Sequence, residues 1–389
     1  MLPPKIYNHD IMHCTHQNVT GNYLYGSRIL GLTHPEDIVQ LRPEVQPDWG
    51  AITAHYDRIG LSYSCNVIWD VDLKRFTEYP DYQPSVFIFG DPLHPGSLDE
   101  AYFREMDADW LTSVEFINNK NNFVQMADEL GVEIPETWCF ERKAAIESLA
   151  AFPYPCYIKP SVSVDGVGIF RCQDEPDLRQ VLAGWDDLIP LQIQAEVVAC
   201  AFLNLQYHVS VQGAERLAAT EQVLDGYAHS GNRYPTLHQP WDIVEPMAEW
   251  LVAQGMKDLF AFDVAVIQTP TGYRYLAIEC NPRFNGASYP TGIANKLKIP
   301  CWSSETFTTA FRSLKDLDLQ DIEFDPHSHT GVILVNWGTI QVGKLGVLLA
   351  GSIAQQNQLR ATLKQRLSES PAGCQDRKPV PSEIRSAEL

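Results

Sequence analysis

Asp263 sits in the run LFAFDVAVIQ, and Glu279 and Asn281 sit in YRYLAIECN, with TPTG between the two runs. Apolar runs of this length around a Pro-Thr-Gly turn read as a β-hairpin turning near Pro270–Thr271. Asp263 then falls roughly opposite Glu279, and strand alternation puts Glu279 and Asn281 on one face. Two carboxylates and an amide oxygen are hard ligands, suited to Mg²⁺ rather than a soft metal. Taken alone, the same residues also fit an exposed hairpin edge with Glu279 paired to Arg283. A carboxylate inside LAIEC is costly without a nearby cation, which favours the ligand reading.

Lys159 closes PYPCYIKP and precedes the small-residue loop Ser161–Gly168, SVSVDGVG. A lysine there neutralises phosphate oxygens, while backbone N–H groups of Ser163, Asp165, Gly166 and Val167 fold over them as a mobile lid. The loop matches neither the P-loop nor the dinucleotide fingerprint, and a plain hairpin with a glycine turn is the alternative. Lys120 lies about forty residues earlier, near the start of NNKNNFVQMADELG. It acquires meaning only beside the other two groups.

These side chains need elements to hold them. Phe123, Met126, Ala127 and Leu130 recur at helical spacing, with Asn118 or Asn119 as cap and Gly131 as stop. PYPCYIKP and IFRC read as strands flanking the loop, and Asp174 as the cap of DEPDLRQVLAG. FLNLQYHVSV alternates: Leu203, Leu205, Tyr207, Val209 and Val211 on one face, Asn204, Gln206, His208 and Ser210 on the other. Such a strand covers a core while lining a polar cleft. IVEPMAEWLVAQGM reads as a helix, GVILVNW and KLGVLLAG as a strand pair, and QQNQLRATLKQRL as a closing helix. Earlier, LSYSCNVIWD and SVFIFG read as strands of an α/β region.

With 389 residues the chain has room for two or three domains. Its 29 Lys and Arg against 49 Asp and Glu give a net charge of −20, which argues against nucleic-acid or anionic-membrane partners. Nine scattered cysteines, no long apolar run and no signal-like start fit a cytoplasmic protein. TEQVLDGYAHSGNRYP reads either as an ordinary loop or as one that orients a substrate carboxylate through Glu221, Gln222, His229, Asn232 and Arg233. Asn285 and Ser288 follow Arg283 closely enough to meet substrate. The histidines of HDIMHCTH (His9, His13, Cys14, His16) and DPHSHTG (His327, His329) are weak metal candidates.

The ordered set INNKNNF, YIKP with its loop, QIQAEVV, FDVAV and IECNPRFNG resembles the ATP-grasp superfamily over roughly residues 116–300. The resemblance implies an α/β (α+β) architecture with nucleotide between two lobes. Its parts would be a pre-ATP-grasp domain (1–115), a small lobe with the phosphate loop (116–200), a large lobe (201–367) and a mobile tail (368–389). It implies ATP and two Mg²⁺ ions, or Mn²⁺, as cofactors. Lys120, Lys159, Ser161, Ser163, Gly166 and Gly168 would meet the phosphates. Backbone groups of Glu196 and Val197 would meet adenine, and Asn204 or Gln206 the ribose or phosphates. Asp263, Glu279 and Asn281 would ligate metal, and Arg283 with Lys159 would serve catalysis.

The implied activity is an ADP-forming ligase that joins a carboxylate to an amine through an acyl phosphate. Within the superfamily, ECNPRFNGASYP and the flanking regions resemble pheganomycin-type peptide ligases of secondary metabolism. A small-molecule kinase on the same fold and a non-catalytic nucleotide-binding protein are the alternatives, and homodimers are common for such folds.

Overall fold

The computed structural model describes residues 3–12, 20–87, 98–163, 168–225 and 228–368. His13, Cys14, His16, Gly166 and most of the expected tail lie outside the described residues. Three sheets organise the rest.

The first sheet is parallel, in the order β3-β2-β1-β4, from β1 (Lys5–Asn8), β2 (Ile38–Gln40), β3 (Asn66–Ile68) and β4 (Gln83–Val86). The α1 helix (Trp49–Ile59) crosses between β2 and β3 and buries Ile52, Tyr56 and Ile59. The run 61–70, expected to be a strand, is one only over its three residues in β3. Two helices follow: α2 (Leu98–Asn118), kinked at Asp107, and α3 (Lys120–Leu130). The Asn119 side chain caps α3 by accepting from Asn121 N–H, and Gly131 ends it at φ 67°, which glycine adopts without strain.

The second sheet is antiparallel, in the order β5-β8-β6-β7. It comprises β5 (Thr137–Phe140), β6 (Cys156–Pro160) and β7 (Phe170–Cys172), then α4 (Glu175–Ala183) and β8 (Leu191–Ala195). Asp174 accepts from Asp177 N–H and starts α4 as its sequence predicts. This unit has its own small core around Ile158, Leu178, Trp185 and Ile193.

The third sheet carries eight strands, in the order β13-β12-β9-β10-β11-β14-β16-β15. In chain order its parts are β9 (Ala201–Ser210), β10 (Gly213–Asp225), β11 (Ala228–Tyr234), α5 (Trp241–Ala253), β12 (Leu259–Thr269) and β13 (Gly272–Asn281). After them come α6 (Ser288–Lys296), β14 (Trp302–Thr308), β15 (Gly331–Asn336), β16 (Lys344–Ala350) and α7 (Ile353–Ser368). Within TEQVLDGYAHSGNRYP, residues 220–225 end β10 and residues 228–234 form β11, the two strands pairing antiparallel. Leu203, Leu205 and Tyr207 are fully buried with α5, as the alternation of β9 requires. Val211 lies past the strand and is exposed. A separate core joins Leu24, Ile52 and Tyr56 to Val332, Leu348 and Leu363.

Candidate active site

Asp263 faces Glu279 as expected, but through a β-bulge between Asp263 and Val264, since the register set by the turn would place Ile278 opposite Asp263. Asp263 pairs with Glu279, Ala261 with Asn281, and Thr269 with Gly272 across the Pro270–Thr271 turn. On its other side β12 pairs with β9, so Asn204 lies beside Asp263. Asp263 Oδ1 accepts from Asn204 Nδ2 and Gln222 Nε2, each at 2.7 Å, and Oδ2 accepts from Asn281 Nδ2 at 3.1 Å. Among the described residues no cation pairs with this carboxylate. Burial, reinforced by the Glu279 charge, pushes its pKa up to about 7 against the pull of the three amides.

Glu279 is ringed by cations instead. Burial alone would raise its pKa, but Lys120, Lys159 and Arg283 together hold it below the usual carboxylate range. Lys120 Nζ is 3.5 Å from Glu279 Oε2, so the direct partner is Lys120 and not the Arg283 of an exposed hairpin edge. Lys120 is the first residue of α3, where the helix dipole disfavours a positive charge. Its backbone N–H donates to the Ser161 carbonyl at 2.7 Å, tying the helix to the segment that follows β6.

Lys159, on β6, is only 9 % exposed and donates to Gln194 Oε1 at 2.7 Å. Burial lowers its pKa to about 8; Glu279 opposes that drop and Lys120 adds to it. Arg283 Nη1 donates to Asn118 Oδ1 at 3.0 Å, and its guanidinium lies 5.7 Å from the Phe87 ring centre. Residues from β6, α3, β12, β13 and the segment after β13 thus meet at one centre.

The remaining candidates divide. Gln206 is buried and donates to Thr291 at 3.1 Å, and Asn285 Nδ2 reaches Asn204 Oδ1 at 3.4 Å. Asn285 also accepts from Ala287 N–H and the Ser288 hydroxyl, so buried Ser288 shapes the turn into α6. Glu221 and Arg233 pair with each other across β10 and β11, 3.3 Å apart. Gln222 points at Asp263, so its neighbour Glu221 faces the other side of the sheet. Of this hairpin's residues, Gln222 is the one that reaches the Asp263 carboxylate, while Glu221 and Arg233 pair with each other. Asn232, opposite Gln222, is spent on Thr220 and Ser304. The His229 side chain lies outside the described residues.

At the end of β8, the Glu196 carboxylate is held by Arg171 at 2.6 Å and by Tyr157 at 2.9 Å. The Glu196 N–H donates to the Pro155 carbonyl, and the Val197 carbonyl accepts from Ala199 N–H. Two of the backbone groups expected to face adenine are thus already engaged. Ser161 is buried, and Gly168 has φ 77° with Pro160 only 3.1 Å from where a Cβ would stand. The loop ends therefore close on one another at a position that only glycine fills without strain. His9 is buried just past β1, with one ring nitrogen on the Tyr289 hydroxyl and the other on Ser85.

Among the described residues, no three His, Cys, Asp or Glu side chains converge as a metal cage. The candidate cation site is two carboxylates and the Asn281 amide, which is hard-oxygen chemistry. Buried polar atoms without partners mark the surrounding elements: Asn118 Nδ2, Asn121 Oδ1, Gln192 Nε2 and Gln206 Oε1. Unpaired polar atoms in such number fit a cleft that holds a polar ligand.

No protein-family model matches the sequence. Solved structures do match the fold. An N5-carboxyaminoimidazole ribonucleotide synthetase crystallised with ADP superposes with TM-score 0.57 at 12 % identity, over 93 % of this chain and 97 % of that one. The Staphylococcus aureus N5-carboxyaminoimidazole synthetase, also with ADP, gives 0.55 at 12 % identity over 85 % and 90 %. The N5-carboxyaminoimidazole ribonucleotide synthetase of Thermus thermophilus gives 0.53 at 13 % identity over 86 % and 99 %. The chain has the mixed α/β architecture of these synthetases, the ATP-grasp fold, over most of its length.

Proposed function

We propose that the protein is an ATP-dependent, ADP-forming carboxylate–amine ligase. The observation that carries the reading is the meeting of Lys120, Lys159 and Arg283 around Glu279, next to Asp263. The synthetases that share the fold were crystallised with ADP, which supports nucleotide as the ligand. Lys120 and Lys159 hold the phosphates, and the 161–168 loop covers them. The Glu196 carbonyl and Val197 N–H meet the adenine edge, and Asn204 or Gln206 lies toward the sugar or phosphates. Asp263, Glu279 and Asn281 would hold Mg²⁺, which supplies positive charge to the phosphate oxygens. The division at 115, 200 and 367 is the corresponding domain reading.

In the reaction, a carboxylate oxygen of the substrate attacks the γ-phosphorus and the bond to ADP breaks, giving an acyl phosphate. An amine nitrogen then attacks the acyl carbon, and phosphate leaves. Arg283, fixed by Asn118, offers its planar fork to the carboxylate and later to the acyl phosphate. A closed cleft keeps water from that intermediate. Amino-acid-like acids and amines, as in pheganomycin-type peptide ligases, are the substrate class we assign.

The test is nucleotide release across carboxylic acids crossed with amino acids. ADP and phosphate in equal amounts, dependent on both partners, with ¹⁸O passing from labelled carboxylate into phosphate, is the expected result. A phosphorylated product would make the protein a kinase, and AMP would make it an adenylating ligase.

A further inference from the structure

Arg28 lies in the turn-rich segment between β1 and β2 and is 9 % exposed. Its guanidinium sits 4.1 Å from the Tyr289 ring centre, 5.3 Å from that of Tyr25 and 5.7 Å from that of Phe87. No carboxylate among the described residues pairs with it, and its Nε is buried without a partner. The three rings stabilise the cation through their faces, and the Tyr289 hydroxyl is in hydrogen-bond contact with it, but none of them supplies an anionic acceptor. An arginine left in this state lacks the acceptor that its in-plane fork is shaped for.

The rings that enclose Arg28 are themselves fixed. Asp258 accepts from Lys5 Nζ at 2.9 Å and also from the Ser85 hydroxyl. A carboxylate only accepts, so Ser85 must donate to it, and the Ser85 oxygen then takes the proton of His9 Nε2, 3.1 Å away. His9 Nδ1 is left bare and accepts from the Tyr289 hydroxyl at 2.9 Å. This one-way chain from Asp258 to Tyr289, buried at every member, runs from the start of β12 through β4 and β1 to α6. It fixes one His9 tautomer and holds Tyr289 against Arg28.

The second fact is position. The Arg283 guanidinium stands 5.7 Å from the same Phe87 ring. Two guanidinium groups therefore share one phenylalanine, Arg283 anchored on Asn118 near Glu279 and Arg28 beside Tyr25 and Tyr289. We propose that Arg28 docks a non-reacting oxyanion, carboxylate or phosphate, of the substrate whose reacting carboxylate lies at Arg283. Its place in the reaction rests on the ligase reading, and the substrate class becomes acids with a second anionic group a few atoms from the first.

The test uses the full chain saturated with Mg·ADP, titrated calorimetrically with succinate and, separately, with inorganic phosphate. Wild type should bind at least one probe saturably. Arg28→Gln and Arg28→Lys should each weaken that binding tenfold or more while ADP affinity stays within twofold. Lysine keeps the cation over the rings but loses the fork, so it decides the matter if the glutamine variant does not fold. Binding of succinate alone marks a carboxylate site, and binding of phosphate alone marks a phosphate ester. No saturable binding of either probe, or equal binding by wild type and both variants, overturns the proposal. Failure of wild type to bind ADP would overturn the ligase reading, and the same titrations without nucleotide would still decide the Arg28 site.

Discussion

Replacing Lys159 by methionine should make the empty protein more stable at neutral pH while disabling it. The drop in the lysine pKa from 10.5 to about 8, at about 1.4 kcal/mol per pH unit, makes its charged form in the fold cost about 3 kcal/mol. That cost remains after the attraction of Glu279 is included. Methionine keeps the length and removes the charge, but strands Gln194 Oε1, a loss of about 1 kcal/mol. The expected gain is about 2 kcal/mol at pH 7, read by urea unfolding of nucleotide-free protein. The sign with pH is fixed. Between pH 8 and 10.5 the unfolded chain binds the proton that the folded chain has lost, so wild-type stability recovers as pH rises through that window. By pH 9.5 the two proteins should unfold together. Turnover should fall by about 10²–10³, the usual loss for one charge-stabilising group. A Lys159→Met protein less stable than wild type at pH 7 would refute the reasoning, since the lysine would then be a net support of the empty fold.

Three further outcomes are expected. Mg²⁺ binding to nucleotide-free protein should weaken about tenfold per pH unit below 7 and level off above 8, because Asp263 must give up a proton held to about pH 7; a flat calorimetric profile from pH 5.5 to 8 would count against Asp263 as a ligand. Arg283→Lys should keep ATP affinity within a few-fold but lose about 10² in ligation, because a point charge cannot copy a bidentate contact; unchanged single-turnover rates would remove Arg283 from the chemistry. Asp174→Ala should cost about 1 kcal/mol through the lost cap on α4, measured by thermal unfolding.

The parts legible in the sequence are those set by local rules. Asn119, Gly131 and Asp174 mark helix ends through their own side chains or backbone freedom, and each ends its helix as expected. The short turn between two apolar runs sets the hairpin only as far as Val264 and Ala277; a bulge beyond it brings Glu279, not Ile278, opposite Asp263, so their facing was legible only to within one residue. What the sequence hid depends on partners far along the chain. The β10–β11 hairpin carries Gly, Asn, His and Ser where a strand would ordinarily show apolar alternation, and Asn232 among them is satisfied within the sheet, its side chain by Thr220 and its backbone N–H by Ser304. Gln222 therefore read as one polar residue among several, although it donates to the central carboxylate. Arg28 gave no signal in GSRIL, since its significance comes from rings as distant in the chain as Phe87 and Tyr289.

The core that joins Leu24, Ile52 and Tyr56 to Val332, Leu348 and Leu363 has a consequence during synthesis. The N-terminal strands leave the ribosome while part of the surface they bury against has not been translated. The second sheet, whose core is local to residues 152–193, can close as soon as it emerges. Assembly therefore proceeds from the middle of the chain outward, and the N-terminal strands wait with apolar faces open for the last third. Fragments that stop before β15 should accumulate as aggregates in a cell, and growth at lower temperature or chaperone supply should raise the yield of the whole chain more than changes near the cleft.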